Sequence, residues 1–493
     1  MVDILHDYSV PNYIKLENSQ NFAVFAALTR PLTLIQGPPG TGKTVVSATI
    51  IYHLAKTNQG KILVCAPSNV AVDHLTEKIA AVGLKVVRLE ARSREIQQSP
   101  IEKFTLTYKV KNYQSAEAKL LHELQLEEEK RLLSKDEQDQ LLKLLIHVEQ
   151  EILGKYDVIC CTNAAAGDKR LKERNIQFPY VLIDESTQSI EPEIMICLIR
   201  GIKHIVLVGD HSQLGPIIRS KIATKAGMSQ SLLERLMYCN ITPVMLKIQY
   251  RMHPEIASFP SKQFYQGKLL NGTTGKEQDD VWALGSGIEI MKADSQNIFP
   301  WPNPECPMMF LNIQYEEKQG GTSFANQCEA TNVQIILSHL LQRVDPKAIG
   351  VITPYRLQIA YIQDAIDQFY ANSGYNSQSR TLSKAIYDDV QIASVDSFQG
   401  KEKEYIIFSC VRSNDHYEIG FLKDPRRLNV ALTRAKYGLI ILGNAQVLSN
   451  DPLWNNLLVH MDKRRCLGSR YASCSKKRQI GIFNQRETGL KYK

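Results

Sequence analysis

LTLIQGPPGTGKT, residues 32–44, is the stretch on which the reading of this chain turns. A short apolar run, LTLIQ, enters a turn of glycine and proline, and Lys43 and Thr44 then open a helix-forming run, VVSATIIYHLA. Gly37, Gly40 and Gly42 carry no side chain, so their backbone N–H groups, with that of Thr41, can close around an anionic oxygen. The N-terminus of the helix behind them adds its partial positive charge. Lys43 offers a mobile full charge for β- and γ-phosphates, and Thr44 a hydroxyl for Mg²⁺. The stretch satisfies G-x-x-x-x-G-K-[ST] in the strand–loop–helix context that this phosphate-binding pattern needs. The bland alternative is a turn that ends in Lys-Thr by accident. Nucleotide binding is the working premise.

A chain of 493 residues is too long for one hydrophobic core and should divide into domains. Its 44% hydrophobic and 22% charged content is that of an ordinary soluble protein. No apolar run approaches the length of a membrane span, and the N-terminal MVDILHDYSVPN carries acids and no apolar signal core. No membrane partner is expected, and the expected location is the cytoplasm, with nuclear shuttling open. Ten cysteines are scattered singly apart from Cys160-Cys161, and none sits in a Cys-x-x-Cys pair, which argues against a disulfide framework or a zinc site. The net charge of +8 is uneven: residues 449–493 hold ten Lys/Arg against Asp451, Asp462 and Glu487, a net of +7 that leaves only +1 for the body. Bulk charge therefore makes no case for a nucleic-acid partner; only the tail or local surfaces can.

Along the chain, short apolar runs alternate with helical stretches. Residues 32–37, 61–68, 157–162, 180–185 and 204–210 form one series. Residues 244–251, 307–313, 348–355, 390–398, 405–413 and 438–444 form another. Near-continuous apolar runs ending in small or polar residues are the mark of parallel strands buried on both faces, with ligands beyond their carboxyl ends. The pattern predicts an α/β protein with two tandem domains, 1–240 and 241–450, followed by a basic C-terminal tail, 451–493. Residues 100–153 interrupt the alternation. Leu120, Leu121, Leu124, Leu141, Leu142, Leu145, Val148 and Ile152 recur at helical spacing without Gly or Pro, which predicts two antiparallel helices inserted in the first domain with a turn near Ser134–Lys135. Residues 271–306 read as an irregular surface excursion and 371–388 as a mobile loop.

Asp184-Glu185 follows the strand VLI, where one carboxylate can hold the Mg²⁺ bound by Thr44 and the other can orient or deprotonate a water. Gln213, in GDHSQLGP, offers an amide suited to sensing a γ-phosphate and its water. Arg251 in QYRMHP and Arg434 in ALTRAK sit at strand ends of the expected second domain, from which they would supply positive charge to a phosphoryl group in transfer. Gly400 permits close approach, and Glu402 is a candidate acceptor for a ribose hydroxyl.

LIQGPPGTGKT, CAPSNVAVDHL, LIDESTQ, LVGDHSQLGP, QYRMHP, VDSFQGKEKEYIIFSCVRSN and DPRRLNVALTRAKYG, in this order, resemble the motifs of superfamily 1 helicases. Within that group the chain is similar, from about Leu16 to about Trp454, to the up-frameshift RNA helicases of nonsense-mediated mRNA decay. The resemblance implies two RecA-like P-loop domains, ATP in the cleft between them with Mg²⁺, and 5′→3′ movement on single-stranded RNA. It implies that Gln20 reads adenine and Tyr250 stacks on it, that Lys43 and Thr44 hold phosphate and Mg²⁺, and that Asp184 is the Mg²⁺-side acid. Glu185 becomes the general base, Gln213 the coupler of γ-phosphate to the domain interface, Arg251 and Arg434 the arginine fingers, and Glu402 a nucleotide contact. Ser68, Asn69, Thr162, Thr353, Pro354 and Ser397 match the family's nucleic-acid contacts, and residues 100–153 its two-helix insertion. The family also carries an N-terminal zinc domain and a β-barrel. Nineteen residues precede Gln20 here, so neither module is expected, and docking of decay or translation-termination factors loses its usual site. A monomer is expected. The competing readings are a related superfamily 1 enzyme acting on DNA or on both nucleic acids, and an ATP-gated RNA clamp that recruits factors without unwinding.

Overall fold

The computed structural model describes residues 6–92, 101–171, 177–199, 201–272, 299–372 and 387–468. The chain forms two compact units, Met1–Arg251 with Pro260–Thr273, and Met252–Phe259 with Thr274–Lys493.

The first unit is built on seven parallel strands: β1 (Leu32–Gln36), β2 (Ile62–Ala66), β3 (Val86–Arg88), β4 (Val158–Thr162), β5 (Tyr180–Ile183), β6 (His204–Gly209) and β7 (Val244–Met245). Their order across the sheet is β3-β4-β2-β5-β6-β1-β7. Because side chains alternate along a strand, each apolar run feeds two cores. Leu63, Cys65, Ile159, Cys161, Val181, Ile183 and Leu207 enter one. Val64, Ala66, Val158, Cys160, Leu182, Val206 and Val208 enter the other. The helices Asn18–Thr29, Lys43–Lys56 and Asn69–Ala81 cover the second core with Val24, Ile50 and Ile79. The inserted pair, Ala116–Glu128 and Lys135–Lys155, covers the first with Ala118, Leu121, Val148, Ile152 and Leu153. Its turn falls where the sequence puts it, and Ser134 starts the second helix with a capping box closed by Glu137.

Two boundaries differ from expectation. The run at 244–251 does not open the second domain: Val244 pairs with Ile35 on β1, and the Leu246 N–H donates to the Gln36 carbonyl at 2.9 Å. The run extends the free edge of the first sheet, so the first unit continues to Arg251 rather than stopping at 240. Two further short strands of this unit, β8 (Ile248–Gln249) and β9 (Leu270–Asn271), pair in parallel.

The second unit has a six-stranded parallel sheet of β10 (Met308–Asn312), β13 (Ile349–Thr353), β14 (Gln391–Ser394), β15 (Lys403–Ser409), β16 (Ala435–Gly443) and β17 (Leu467–Gly468), ordered β14-β13-β15-β16-β10-β17. A small antiparallel pair, β11 (Lys318–Gly320) and β12 (Ser323–Ala325), lies between β10 and the helix Gln327–Leu340 in the chain. Two α/β units on parallel sheets are the fold class read from the sequence. The expected tail, however, begins as structure. Asp451 caps the helix Pro452–Lys463, Trp454 is fully buried with its Nε1 donating to the Leu422 carbonyl at 2.9 Å, and β17 pairs with β10. Residues 469–493 lie outside the described residues, as do 273–298 of the expected excursion and 373–386 of the expected loop. The excursion is not superficial throughout, since Phe299 and Trp301 are buried in the core of the second unit. Among the described residues no helix is long and apolar enough to cross a membrane.

Candidate nucleotide and nucleic-acid sites

In the first unit the phosphate-binding loop joins β1 to the helix Lys43–Lys56, whose N-cap is Gly42. The Gly37 N–H donates to the Gly209 carbonyl at 2.9 Å, which ties the loop to the tip of β6. The Thr41 hydroxyl donates to the Pro38 carbonyl at 2.7 Å and closes the turn on itself, leaving Thr44 half-buried at the helix start. Gly40 has φ +74°, and a Cβ there would lie 2.6 Å from Cβ of Arg251, so only glycine lets the loop and residue 251 approach this closely.

Lys43 Nζ donates to the Gly37 carbonyl at 2.8 Å and lies 3.9 Å from Oε1 of Glu185. Asp184 and Glu185 leave the tip of β5 in different circumstances. Asp184 is buried, and burial followed by the neighbouring charge of Glu185 pushes its carboxyl up to about 7, against the pull of Lys43. Glu185 is half-buried and sits in the left-handed region at φ 49°, where a residue with a Cβ costs roughly 1–2 kcal/mol. Gln188 Nε2 donates to its Oε2 at 2.8 Å, which fixes the carboxylate. Strain of this kind concentrates at functional positions, and no sequence pattern announces it.

Gln213 is buried at the tip of β6, and its Nε2 donates to Oδ2 of Asp210 at 2.6 Å. The same oxygen accepts the Tyr265 hydroxyl at 2.7 Å. Asp210 and Tyr265 were not singled out from the sequence. Asp210 lies inside the quoted GDHSQLGP, while Tyr265, 55 residues farther along, gives no local signal.

Arg251 belongs to the first unit, not to a facing domain. Its N–H donates to Oε1 of buried Gln249 at 2.9 Å, and the Tyr250 N–H donates to the Gly40 carbonyl at 2.9 Å, so the whole QYR segment is pinned to the phosphate loop. The edge position of β7 is the reason. Gln249, like Asp210 and Tyr265 not singled out from the sequence, also donates from Nε2 to Oδ1 of Asn271 at 2.8 Å. Tyr250 is 40% exposed, and its ring lies close to Gly272. Gln20 is buried nearby: its Nε2 donates to the Thr41 carbonyl at 3.1 Å and its Oε1 accepts the Glu17 N–H at 3.1 Å. Lys43, Thr44, Asp184, Glu185, Gln213, Gln20, Tyr250 and Arg251 are thus all brought together by helix starts, strand tips and loops of this one unit.

The remaining candidates belong to the second unit and are described within it. Arg434 is buried, its guanidinium donating to the carbonyls of Val430 (3.0 Å) and Lys401 (3.1 Å) and to the Thr433 hydroxyl (3.1 Å). It fastens the start of β16 to the loop that carries Gly400 and Glu402. Gly400 takes a left-handed backbone conformation. A Cβ there would meet nothing within 4 Å, and its φ of +76° is what calls for glycine. Oε1 of Glu402 pairs with Lys436 Nζ at 2.7 Å.

Ser68 and Asn69 lie exposed beyond β2, and Thr162 ends the adjacent β4, opposite Ala66. Ser68 caps the helix Asn69–Ala81 by accepting the Ala71 N–H, and Oδ1 of Asn69 accepts from Nη2 of Arg88 at 2.8 Å. In the second unit Thr353 ends β13 opposite Ser394 on β14, with Pro354 half-buried and Ser397 exposed beside them. The Thr353 side chain is fully buried, so a strand crossing this tip meets Pro354 and backbone rather than the Thr353 hydroxyl.

Two family models, each described as "AAA domain", match the chain, one over residues 15–144 and 122–221 and the other over 228–446. The chain is 51% identical over 464 residues to "Regulator of nonsense transcripts 1 homolog" of Arabidopsis thaliana, covering 93% of this chain and 35% of that protein. It is 49% identical to "ATP-dependent helicase NAM7" of Saccharomyces cerevisiae, covering 94% of this chain and 45% of that protein. Against "ATP-dependent helicase upf1" of Schizosaccharomyces pombe the identity is 46%, covering 93% of this chain and 48% of that protein. The chain spans between about a third and a half of the length of these relatives.

Proposed function

The chain belongs to the up-frameshift helicases of superfamily 1, and from that premise we propose that it hydrolyses ATP to move 5′→3′ along single-stranded RNA, unwinding it or remodelling its protein complexes in nonsense-mediated decay. Support for the RNA and for the decay setting comes from the names of the relatives. Decay or termination factors are the partners this reading brings, and the cytoplasm the location.

One observation carries the hydrolytic reading: a lysine, a buried aspartate and a strained glutamate converge at a glycine loop within one unit. Lys43 would exchange its hold on the Gly37 carbonyl for the β- and γ-phosphates. Asp184 fits a divalent cation, since it is a buried carboxyl beside a second carboxylate with Lys43 as the neighbouring cation, and it would hold Mg²⁺ together with the Thr44 hydroxyl. Mg²⁺ supplies charge neutralisation on the phosphate oxygens. Glu185, fixed by Gln188, would accept the proton of the water that attacks the γ-phosphoryl group. Arg251, pinned to the loop from the same unit, would offer positive charge to the equatorial oxygens.

Glu185→Gln keeps size and hydrogen bonding and removes the base. Multiple-turnover hydrolysis should fall about 10²–10⁴-fold, while equilibrium binding of a fluorescent ATP analogue stays within a few-fold. A variant that turns over at the wild-type rate would remove Glu185 from the mechanism. Stimulation of hydrolysis by poly-ribonucleotide over poly-deoxyribonucleotide tests the RNA reading, because the 2′-OH is the group that differs.

A further inference from the structure

The second unit holds a strained turn that the nucleotide chemistry does not use. Val411 follows β15 with φ 72°, and a β-branched residue in the left-handed region is a true outlier. Glu329, fully buried in the first turn of the helix Gln327–Leu340, clamps it. The Val411 N–H donates to both carboxyl oxygens of Glu329, at 3.0 and 2.9 Å, and the Ser409 hydroxyl donates to Oε2 at 2.6 Å. Asn326, which caps the same helix, donates from Nδ2 to the Val411 carbonyl at 3.4 Å. The turn is therefore held on both sides by one helix N-terminus. Burial of the Glu329 carboxyl is costly enough to push it up to about 8, which a merely decorative acid would not tolerate.

What the turn aims is Arg412. Its Nε donates to Glu317 at 2.9 Å, its guanidinium lies 4.2 Å from the centre of the Phe324 ring, and its Nη1 donates to the Tyr355 hydroxyl at 3.4 Å. Tyr355 directly follows Thr353-Pro354 at the tip of β13, and its ring packs against Phe324 at 5.5 Å and Phe421 at 5.7 Å. Gln358, in the helix after that tip, donates to the Ser409 hydroxyl at 3.0 Å and accepts the Asn326 N–H at 2.7 Å. Buried polar contacts therefore run from Glu329 through the Val411 turn to the segment that ends β13.

We propose that Glu329 is a positioning residue for single-stranded nucleic acid, holding Val411 in its strained conformation so that Arg412 and Tyr355 fix the Thr353–Pro354 tip for contact with the strand. The proposal rests on the helicase reading and adds to it a residue that touches neither nucleotide nor strand. Above about pH 8 the carboxyl is ionised and both its oxygens accept, and there Glu329→Gln leaves one acceptor oxygen and turns an NH₂ toward donors, so it releases the turn. Val411→Gly makes the left-handed conformation free of strain, so the turn no longer needs the clamp.

Affinity of the full chain for a fluorescein-labelled oligouridylate, measured at about pH 9, where the Glu329 carboxyl is ionised, and well below the melting temperature of each variant, separates the outcomes. Glu329→Gln should weaken binding about tenfold, the ratio that matches relief of one left-handed, non-glycine residue. Adding Val411→Gly should bring it back to within about twofold. Hydrogen exchange of the peptide spanning 405–416 should quicken in the single variant and slow again in the double one. Unchanged affinity in Glu329→Gln, or a double variant no better than the single one, overturns the positioning role. A wild-type chain that does not bind the oligouridylate overturns the helicase reading itself.

Discussion

Asp184 and Glu185 are neighbours in the chain and opposites in circumstance, and the difference has a pH signature. Burial and the Glu185 charge raise Asp184 from an ordinary 3.8 to about 7, so the folded state takes up a proton that the unfolded chain has already lost between about pH 4 and pH 7. The sign follows: the contribution of this group to stability is greatest below pH 4, declines as pH rises, and levels off above pH 7. Asp184→Asn, which is neutral throughout, should melt higher than the wild type at pH 8 and by only about a quarter of that gap at pH 4.5, the gap having a ceiling of about 4 kcal/mol. An equal difference in Tm at both pH values would mean that the buried charge is not its source. The identities of Lys43, Thr44, Asp184 and Glu185 were legible because the motif chemistry is local. The strain at Glu185 and the Asp210–Tyr265 hydrogen bond were not, because each depends on backbone and partners that the local string does not encode.

At the scale of elements, the inserted hairpin separates pattern from burial. Leucine spacing and the lack of glycine and proline were enough to place both helices and their turn. They could not say which leucines are covered, since that depends on the layer beneath. Leu121, Val148 and Ile152 are fully buried against the first sheet, whereas Leu120 and Leu142 of the same pattern are 39% and 54% exposed. Leu121→Ala should therefore cost about 2–5 kcal/mol in urea unfolding, and Leu132→Lys, at a position 95% exposed, less than about 0.5 kcal/mol. Similar costs at the two positions would show that the hairpin does not pack as described. The short β7 teaches the complementary lesson. Its two residues read correctly as a strand, but the choice of sheet is a nonlocal pairing with β1, and the error carried Arg251 into the wrong unit.

For the whole molecule, the second unit ends later than the charge pattern indicates. Basic residues cluster from Lys463 onward, which made 451–493 look like one tail, yet the apolar face of Pro452–Lys463 is core. A chain cut after Asn450 loses Trp454, Leu457 and Met461 from the interior and the pairing of β17 with β10. Its second unit should lose several kcal/mol, about 3–5 from Trp454 alone, and unfold early in a thermal scan. A chain cut after Gly468, which keeps helix and strand, should melt above the one cut after Asn450, and the reverse ranking would contradict the placement of helix and strand. The sheet of the first unit has a quieter implication. Cys160 and Cys161 share a peptide bond but belong to different cores, while Cys161 and Cys65, 96 residues apart, bring their sulfur atoms to 3.8 Å. Adjacent letters of this strand are therefore strangers in packing, and the true neighbours of each are written elsewhere in the chain, so that one layer of helices can drift in sequence without the other taking notice.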